Sequence, residues 1–167
     1  MTDTFATERL TLRRFGESDV PVVTAAMQNR DVVAMSPRVP WSYTDGDARQ
    51  FITDIASSEP MTFAVTQADV LIGAVSAQVQ LGYWFVPQVW GCGFATEAAR
   101  AVLTERFAQS VANVPSGHRV GNQRSRNVLT KLGFKDAGLR DVFCNAEGAN
   151  VTLQDMVLSH ADWVATS

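Results

Sequence analysis

The sequence predicts a mixed α/β protein that consists of one domain over residues 1–167. Segments in which polar and apolar residues alternate, as in half-buried strands, lie between segments whose apolar residues recur at helical spacing. A chain of 167 residues is long enough to bury a hydrophobic core without the support of a disulfide or a metal. No segment repeats and no low-complexity linker divides the chain, so we expect a single folding unit.

The composition excludes several classes of protein. Hydrophobic residues make up 46% of the chain, charged residues make up 19%, and the net charge is −3. A chain this apolar is not disordered, and its acidic balance argues against general binding to nucleic acids or membrane surfaces. The N-terminus has no basic and apolar signal region, and Cys92 and Cys144 fit no metal-binding spacing. We therefore expect a cytoplasmic protein with neither a disulfide nor a metal.

Two strands and two helices are predicted in the first 65 residues. Residues 9–13 alternate polar and apolar side chains and predict a half-buried strand, and Ser18 is placed to cap a helix that ends near Asn29. Two prolines exclude a helix from the loop over residues 36–43. A capping box then predicts the start of a second helix, and a strand follows it. The box consists of Thr44 and Asp47, the helix has apolar residues at 48, 51, 52 and 55, and the strand covers residues 61–65.

The middle of the chain contains a run of 27 residues, Val70–Thr96, without a single Asp, Glu, Lys or Arg. A membrane-spanning helix needs about 20 apolar residues, but glycine, glutamine and proline interrupt this run. Their density favours two strands followed by a loop, so we do not expect a membrane span. The predicted strands cover residues 70–77 and 80–86, and Pro87 ends the second.

After this run the pattern predicts a long helix, a strand, a short helix and two further strands. The long helix begins near Phe94, because apolar residues recur from there at helical spacing. Gly133 is a natural residue to end the short helix. The remaining elements are a strand from Pro115 to about Val120, the short helix from about Ser125, and strands over residues 138–144 and 151–158 with a turn at residues 146–148.

The loop Gln88–Gly93 lies between a predicted strand and the long helix. Gly91 and Gly93 allow a tight turn and a close approach of the backbone to a ligand. The following helix directs its unpaired N–H groups and the positive end of its dipole into this loop. Such a loop is suited to a phosphate or pyrophosphate, although a tight turn without a ligand would have the same sequence.

Four motifs follow one another from the strand before this loop towards the C-terminus, and together they resemble the GNAT superfamily of acyl-CoA-dependent N-acetyltransferases, specifically its RimJ/RimL-like branch. The resemblance covers essentially the whole chain, because Glu8–Arg13, Gly73 and Asp162–Trp163 are also placed as in that branch. The four motifs are Gly82-Tyr-Trp-Phe-Val-Pro, Trp90-Gly-Cys-Gly-Phe-Ala-Thr-Glu-Ala98, Asn122-Gln-Arg-Ser125 and Leu129-Thr-Lys-Leu-Gly-Phe134.

The resemblance implies the GNAT fold, in which a mixed, mostly antiparallel sheet of six or seven strands has helices on both faces. It also implies that acetyl-CoA enters a V-shaped gap between the strand ending at Val86 and the strand ending near Val120. Backbone groups of one strand would then pair with the pantetheine arm, and the glycine loop would hold the pyrophosphate. The implied cofactor-binding residues are Trp84, Phe85, Val86, Gly91, Cys92, Gly93, Phe94, Ala95, Thr96, Asn122 and Ser125.

The resemblance further implies that an acetyl group is transferred to a primary amine by direct attack in a ternary complex. The N–H of Phe85 or Val86 is the expected oxyanion donor. Ser125 is the candidate for protonating the sulfur, and capping of a helix is the other reading of this serine. Cys92 or Cys144 as an acyl-carrying nucleophile is the outside alternative, and His118 is read as a strand or surface histidine before it is read as a titrating group. Candidate bases are carboxylates on or near the late strands. These carboxylates are Asp141, which we name as the catalytic residue, Glu147 and Asp155.

The acceptor is expected to be a protein N-terminus or a small-molecule amine, bound by a monomer or a homodimer. Arg38, Trp41 and Tyr43 could line the acceptor cleft or pack on the first two helices. The short segment over residues 73–82 departs from the family pattern and would reshape the acceptor side. Residues 97–135 have a local charge of +5, which suits an anionic cofactor or a solvated helix face. The alternative functions are a non-catalytic acyl-CoA-binding or regulatory domain, and an unrelated nucleotide-phosphate binder.

Overall fold

Two antiparallel sheets form the frame of the molecule in a computed structural model, which describes residues 4–166. The first sheet contains five strands in chain order, and the second contains three strands in the order β6–β8–β7. The predicted α/β class is confirmed, with eight strands in two sheets over these residues instead of six or seven in one. The strands are β1 (Thr4–Ala6), β2 (Thr11–Arg13), β3 (Thr62–Gln67), β4 (Val70–Ser76), β5 (Gly82–Phe85), β6 (Val114–Arg119), β7 (Lys135–Cys144) and β8 (Ala149–Leu158).

Helices cover both faces of the five-stranded sheet because the strands are apolar on both sides. In β3, Phe63 and Val65 pack in one core cluster with the fourth helix, whereas Ala64 packs in another with the first and third helices. A turn of π-helix, Phe51–Ala56, continues the third helix. The helices are α1 (Val20–Gln28), α2 (Arg30–Val33), α3 (Asp45–Gln50), α4 (Phe94–Gln109), α5 (Gln123–Lys131) and α6 (His160–Thr166).

The predicted start of the second helix is confirmed, as is that of the long helix at Phe94, whereas the start of the first helix is shifted. Thr44 and Asp47 form the predicted capping box, since each accepts a hydrogen bond from the other's backbone N–H. Ser18 is not the cap of the first helix. A turn of 3₁₀-helix begins at Glu17, and the buried carboxylate of Asp19 accepts a hydrogen bond from the Gly16 N–H and pairs with an arginine of β2.

The uncharged run forms β4, β5 and the first turn of α4. The connection between the two strands is short, with β4 ending at Ser76 and β5 beginning at Gly82. Within residues 4–166, no helix has the length and apolar character needed to cross a membrane.

Strands β5 and β6 touch at one end and then separate. The Leu81 N–H donates to the Pro115 carbonyl at 2.9 Å, and the Ser116 hydroxyl donates to the Leu81 carbonyl at 2.8 Å. Beyond this point β5 is an edge strand of the first sheet and β6 an edge strand of the second. The V-shaped gap that the family resemblance implies is therefore present, and its sides are two sheet edges whose backbone groups pair with no further strand across the gap.

Gly73 allows β4 and β5 to lie close together beside this gap. A Cβ atom at residue 73 would collide with the Trp84 carbonyl oxygen and would lie 2.6 Å from the ring of Phe85. We expect Gly73→Ala to lower the free energy of unfolding by about 1–3 kcal/mol, the usual cost of overpacking a core. Chemical denaturation measures this change. Gly82→Ala is the matched control, because a Cβ at residue 82 meets nothing within 4 Å; an equal loss in both variants would contradict the argument.

Candidate functional site

A cavity of about 590 Å³ occupies the gap between β5 and β6, which is a usual size for a small-molecule site. It extends from the N-terminal end of α4, past α5, to α2 and the loop after it. Nine of the predicted cofactor-binding residues line this cavity. They are Trp84, Phe85, Gly91, Gly93, Phe94, Ala95, Thr96, Asn122 and Ser125.

The glycine turn before α4 has the geometry that the sequence predicts. Gly91 and Gly93 have φ values of +81° and +83°, a region that glycine adopts without steric cost. The first intrahelical bond runs from the Glu97 N–H to the Gly93 carbonyl at 3.1 Å. The three N–H groups before it have no partner within the helix and lie at its positive end. These three groups belong to Phe94, Ala95 and Thr96, and we call them, with the two glycines, the cradle.

Two of the predicted backbone donors are already engaged. The Cys92 N–H donates to the Val89 carbonyl at 3.3 Å, so it does not contribute to the cradle as expected. The Val86 N–H donates to the Ile72 carbonyl at 2.9 Å, which excludes it as an oxyanion donor. Because N–H groups alternate in direction along an antiparallel strand, the N–H of Phe85 points away from β4 and into the gap. Phe85 is therefore the remaining backbone candidate.

Ser125 is not the N-cap of α5. Asn122 holds that position, and its side-chain oxygen accepts a hydrogen bond from the Ser125 N–H at 3.2 Å. The Ser125 hydroxyl instead lies 2.8 Å from the hydroxyl of Tyr83, a residue of β5 that also lines the cavity. Burial raises the pKa of Tyr83 to about 12, although the hydrogen bond with Ser125 opposes this change. Tyr83 therefore keeps its proton at neutral pH and can donate it in a hydrogen bond to Ser125.

His118 is a buried residue of the cavity wall. Its Nδ1 lies 2.9 Å from the carbonyl oxygen of Arg119, which requires a proton on Nδ1. Its Nε2 is buried and has no hydrogen-bond partner among the described residues. The expectation of a strand histidine is confirmed in its position on β6, but the side chain faces the protein interior.

The three candidate carboxylates occupy different places. Asp141 is exposed and accepts a hydrogen bond from the Thr152 hydroxyl at 2.7 Å. It lies between Arg140 and Val142, which line the cavity, and adjacent residues of a strand point to opposite faces. Asp141 therefore does not reach the cavity, which argues against the catalytic role that the sequence suggests for it.

The other two carboxylates pair with arginines that line the cavity. Asp155 accepts a bifurcated hydrogen bond from the Nε–H of Arg140, with both carboxylate oxygens 2.8 Å from that nitrogen. Glu147 forms an ion pair with Arg119, which lowers the pKa of Glu147. Arg119 also donates to the Ala34 carbonyl, so this pair ties the β7–β8 turn to the end of α2. Because both arginines line the cavity, the two pairs shape its wall.

The positive charge of residues 97–135 is only partly directed at the cavity. Arg119, Arg124 and Lys131 line it, and the guanidinium of Arg124 lies 4.0 Å from the ring centre of Trp90 beside the cradle. Other basic residues are paired on the outer surface, because the fold brings carboxylates to them from distant segments. These ion pairs are Arg126 with Asp136 and Lys135 with Asp162.

The loop over residues 36–43 contributes one of its three predicted side chains to the cavity. Arg38 lines it, whereas Tyr43 is buried in the core with α1 and α3. Trp41 packs in a small cluster with the β7–β8 hairpin and lies under Arg30. Cys144 is fully buried in that same cluster, and Cys92 is exposed on the glycine turn. The location of Cys144 excludes it as an acyl carrier.

Sequence reasoning missed two features of the site. The first is Tyr83, which meets Ser125 across 42 residues of sequence. The second is a set of contacts near the cradle: Thr7 and Arg9 donate hydrogen bonds to Glu97, and Arg9 also donates to the glycine turn. The sequence predicts Arg9 as the first residue of a strand, which gives no signal of these contacts, and Arg9 lies just before the observed strand β2. The motif that includes Glu97 follows the glycine turn directly, and it could have drawn attention to this carboxylate.

Comparison with other sequences identifies curated relatives that are named as N-acetyltransferases. The chain is 25% identical over 160 residues to N-acetyltransferase p20 of Bacillus licheniformis, a match that covers 87% of this chain and 90% of that protein. It is 34% identical over 65 residues to YdaF of Bacillus subtilis strain 168, which is named as a ribosomal N-acetyltransferase. The second match spans 38% of this chain and about a third of the relative, 36% of its length.

Solved structures share the fold across almost the whole chain. The GNAT-family acetyltransferase from Bacillus anthracis has a TM-score of 0.81 at 21% identity and is matched over 95% of this chain and 99% of its own. RimL, a ribosomal alpha-N-protein acetyltransferase, was solved in complex with coenzyme A. It has a TM-score of 0.73 at 17% identity, with 91% of this chain and 96% of RimL covered. The sequence pattern of the Acetyltransferase (GNAT) domain matches residues 9–135, and the chain belongs to the GNAT acetyltransferase family.

Proposed function

We propose that this protein, acting as a single domain, transfers an acetyl group from acetyl-CoA to a primary amine by direct attack in a ternary complex. The observation that carries the proposal is the separation of β5 from β6 around a cavity that ends at the cradle. A strand edge with free backbone groups suits an extended amide-containing arm, and a helix N-terminus suits a pyrophosphate.

The residues around the cavity fit coenzyme A. The cradle offers backbone N–H groups that no other group of the helix uses. Arg124 and Lys131 add positive charge on the α5 side of the same cavity. Asn122 uses its oxygen to cap α5, so its side-chain NH₂ group remains to donate to the pantetheine arm. The bound cosubstrate would supply a thioester as the acetyl donor.

Three groups of the chain would serve the transfer. The N–H of Phe85 would donate to the thioester oxygen as negative charge develops on it. The hydroxyl of Ser125 would donate to the departing sulfur, and Tyr83 would orient that hydroxyl by donating to its oxygen. The amine must be neutral to attack, and the proton that it releases would replace the one that Ser125 gives to the sulfur, so that the serine hydroxyl is restored and the overall proton count is balanced.

The acceptor would enter from the end of the cavity opposite the cradle, between α2 and the β7–β8 hairpin. Asp31, Arg38 and Arg140 line this end. We propose the RimJ/RimL-like branch as the place of this chain within its family, because YdaF and RimL are named for ribosomal substrates. A protein N-terminus is therefore the first acceptor to test, and small-molecule amines are the second.

Isothermal titration calorimetry with acetyl-CoA and a thiol-release assay with an amine panel test the proposal. We expect a single binding site and thiol release that depends on both substrates, with N-terminal peptides and small amines in the panel. Absence of CoA binding would overturn the proposed function. Binding without turnover on any amine would favour the alternative, a non-catalytic acyl-CoA-binding or regulatory domain.

A further inference from the structure

The carboxylate of Glu97, in the first turn of α4, accepts hydrogen bonds from Thr7 and Arg9, which lie between β1 and β2. Its Oε1 accepts from the hydroxyl of Thr7 at 2.5 Å and from the backbone N–H of Arg9 at 2.9 Å. Its Oε2 accepts from Nε of Arg9 at 2.7 Å and lies 2.7 Å from Nη2. Burial opposes ionisation of this carboxyl, but the hydrogen bonds from Thr7 and Arg9 outweigh it and lower the pKa of Glu97. The carboxylate is therefore ionised and fully engaged at neutral pH.

Arg9 also reaches the glycine turn itself. Its Nη1 donates to the carbonyl oxygen of Cys92 at 3.0 Å. The guanidinium lies 4.6 Å from the ring centre of Phe94, and a Cβ at Gly93 would lie 3.4 Å from Nη2. The side chain of Arg9 thus connects Glu97 of α4 to the Cys92–Gly93 peptide group, which directly precedes the helix.

The hydrogen bond from Arg9 to the Cys92 carbonyl fixes the direction in which the N–H of Gly93 points. In a planar trans peptide, the carbonyl oxygen and the next N–H point in opposite directions. Arg9 holds the Cys92 carbonyl, so the N–H of Gly93 points away from Arg9. Gly93 has a φ of +83°, and glycine populates positive and negative φ about equally well. Without Arg9, this peptide group could rotate and present its carbonyl oxygen, which repels an anion, in place of its N–H.

We propose that Thr7, Arg9 and Glu97 form a clamp that holds the Cys92–Gly93 peptide in the orientation required for pyrophosphate binding. Arg9 is a positioning residue of this clamp, since its charge is committed to Glu97 and it acts through the Cys92 carbonyl. The inference rests on the proposed binding of coenzyme A at the cradle, and it adds a role for a segment that precedes the first long strand of the core. The proposal predicts that loss of the clamp weakens the binding only of ligands that contain the pyrophosphate.

The test compares two thioesters in the Arg9→Ala variant. We expect the Kd for acetyl-CoA to rise about tenfold and the KM for S-acetylpantetheine, which lacks the pyrophosphate, to stay within about twofold of the wild-type value. Arg49→Ala is the matched control, because it removes an exposed ion pair between Arg49 of α3 and Glu17, and neither residue lines the cavity. An equal loss for both thioesters would show a general structural defect and overturn the proposal.

Glu97→Gln separates positioning from direct contact with the phosphates. If Arg9 bound the pyrophosphate directly, removal of its carboxylate partner would leave the affinity for acetyl-CoA unchanged or increase it. Because the clamp needs both partners, we expect the Kd to rise about threefold to tenfold.

Arg9→Lys keeps the charge but cannot bridge Glu97 and Cys92 together, so it should resemble Arg9→Ala; wild-type affinity in this variant would overturn the proposal. Wild-type protein that does not bind CoA would instead refute the proposed function.

Amide hydrogen exchange provides a readout that does not depend on substrate. We expect exchange at Gly93 to be at least about tenfold faster in Arg9→Ala than in the wild type, while exchange in the middle of α4 is unchanged. Faster exchange throughout α4 would indicate local unfolding of the helix and would contradict the clamp as stated.

Discussion

Gly91→Asp is expected to abolish binding of acetyl-CoA, with the Kd rising at least about 100-fold. The substitution places a carboxylate beside N–H groups that would otherwise face a pyrophosphate. The negative charges of the carboxylate and the pyrophosphate would repel strongly in a partly enclosed site. The new side chain would not clash with the protein, because a Cβ at residue 91 meets nothing within 4 Å. The loss would therefore arise from charge and from occupation of the cradle, together with the backbone strain of a non-glycine residue at a φ of +81°. Isothermal titration calorimetry measures it directly.

Gly91→Asn is the matched control for this experiment. Asn and Asp have nearly the same shape, and both tolerate the left-handed φ of +81° better than other non-glycine residues. We expect Asn to raise the Kd by about tenfold or less, through backbone strain of about 1–2 kcal/mol at most. If Asn and Asp weakened binding equally, shape and strain would explain the effect, and the anion-binding role of the cradle would lose its support.

The parts of the site that could be predicted from sequence are local in the chain. A glycine turn between a strand and a helix determines its own geometry, so Gly91, Gly93 and the first turn of α4 were predictable from spacing alone. The identity of the α5 cap was less certain. Asn122 and Ser125 are both good capping residues, and the choice between them depends on where the preceding strand ends.

The parts that could not be predicted depend on contacts between distant segments. The count of basic residues in 97–135 overstates the charge available to a ligand, because Asp136 and Asp162 neutralise two of them at positions that only the fold determines. Asp141 was a reasonable candidate from its strand, but its side-chain direction depends on the register of β7 against β8, in which a bulge lies between Asp136 and Gly138. A shift of one residue exchanges the two faces of a strand.

The pairing of Tyr83 with Ser125 changes how Ser125 can act. A serine hydroxyl alone is a weak acid, and in α5 it could rotate towards a nearby carbonyl oxygen. Tyr83 lies 2.8 Å from it and is protonated at neutral pH, and burial raises its pKa further, to about 12. A proton donated by Tyr83 occupies a lone pair of the Ser125 oxygen and leaves the serine hydrogen free to point into the cavity. The two hydroxyls should therefore behave as a unit.

Ser125→Ala is expected to lower kcat about 100-fold while changing the Kd for acetyl-CoA less than threefold, the range in which a positioned proton donor contributes. Tyr83→Phe should lower kcat about tenfold, since it removes the orienting hydrogen bond and leaves the donor. Steady-state thiol release gives kcat, and calorimetry gives the Kd. Ser125→Thr retains the hydroxyl and should recover most of the lost rate.

The double variant decides whether the two residues act together. If Tyr83 acts only through Ser125, the variant with both substitutions should be no slower than Ser125→Ala alone. Multiplication of the two effects, to about 1000-fold, would instead assign Tyr83 an independent role in the cavity. An unchanged rate in Ser125→Ala would reject the proton-donor role altogether, and the loss of a buried hydrogen bond would then be visible only as a lower melting temperature.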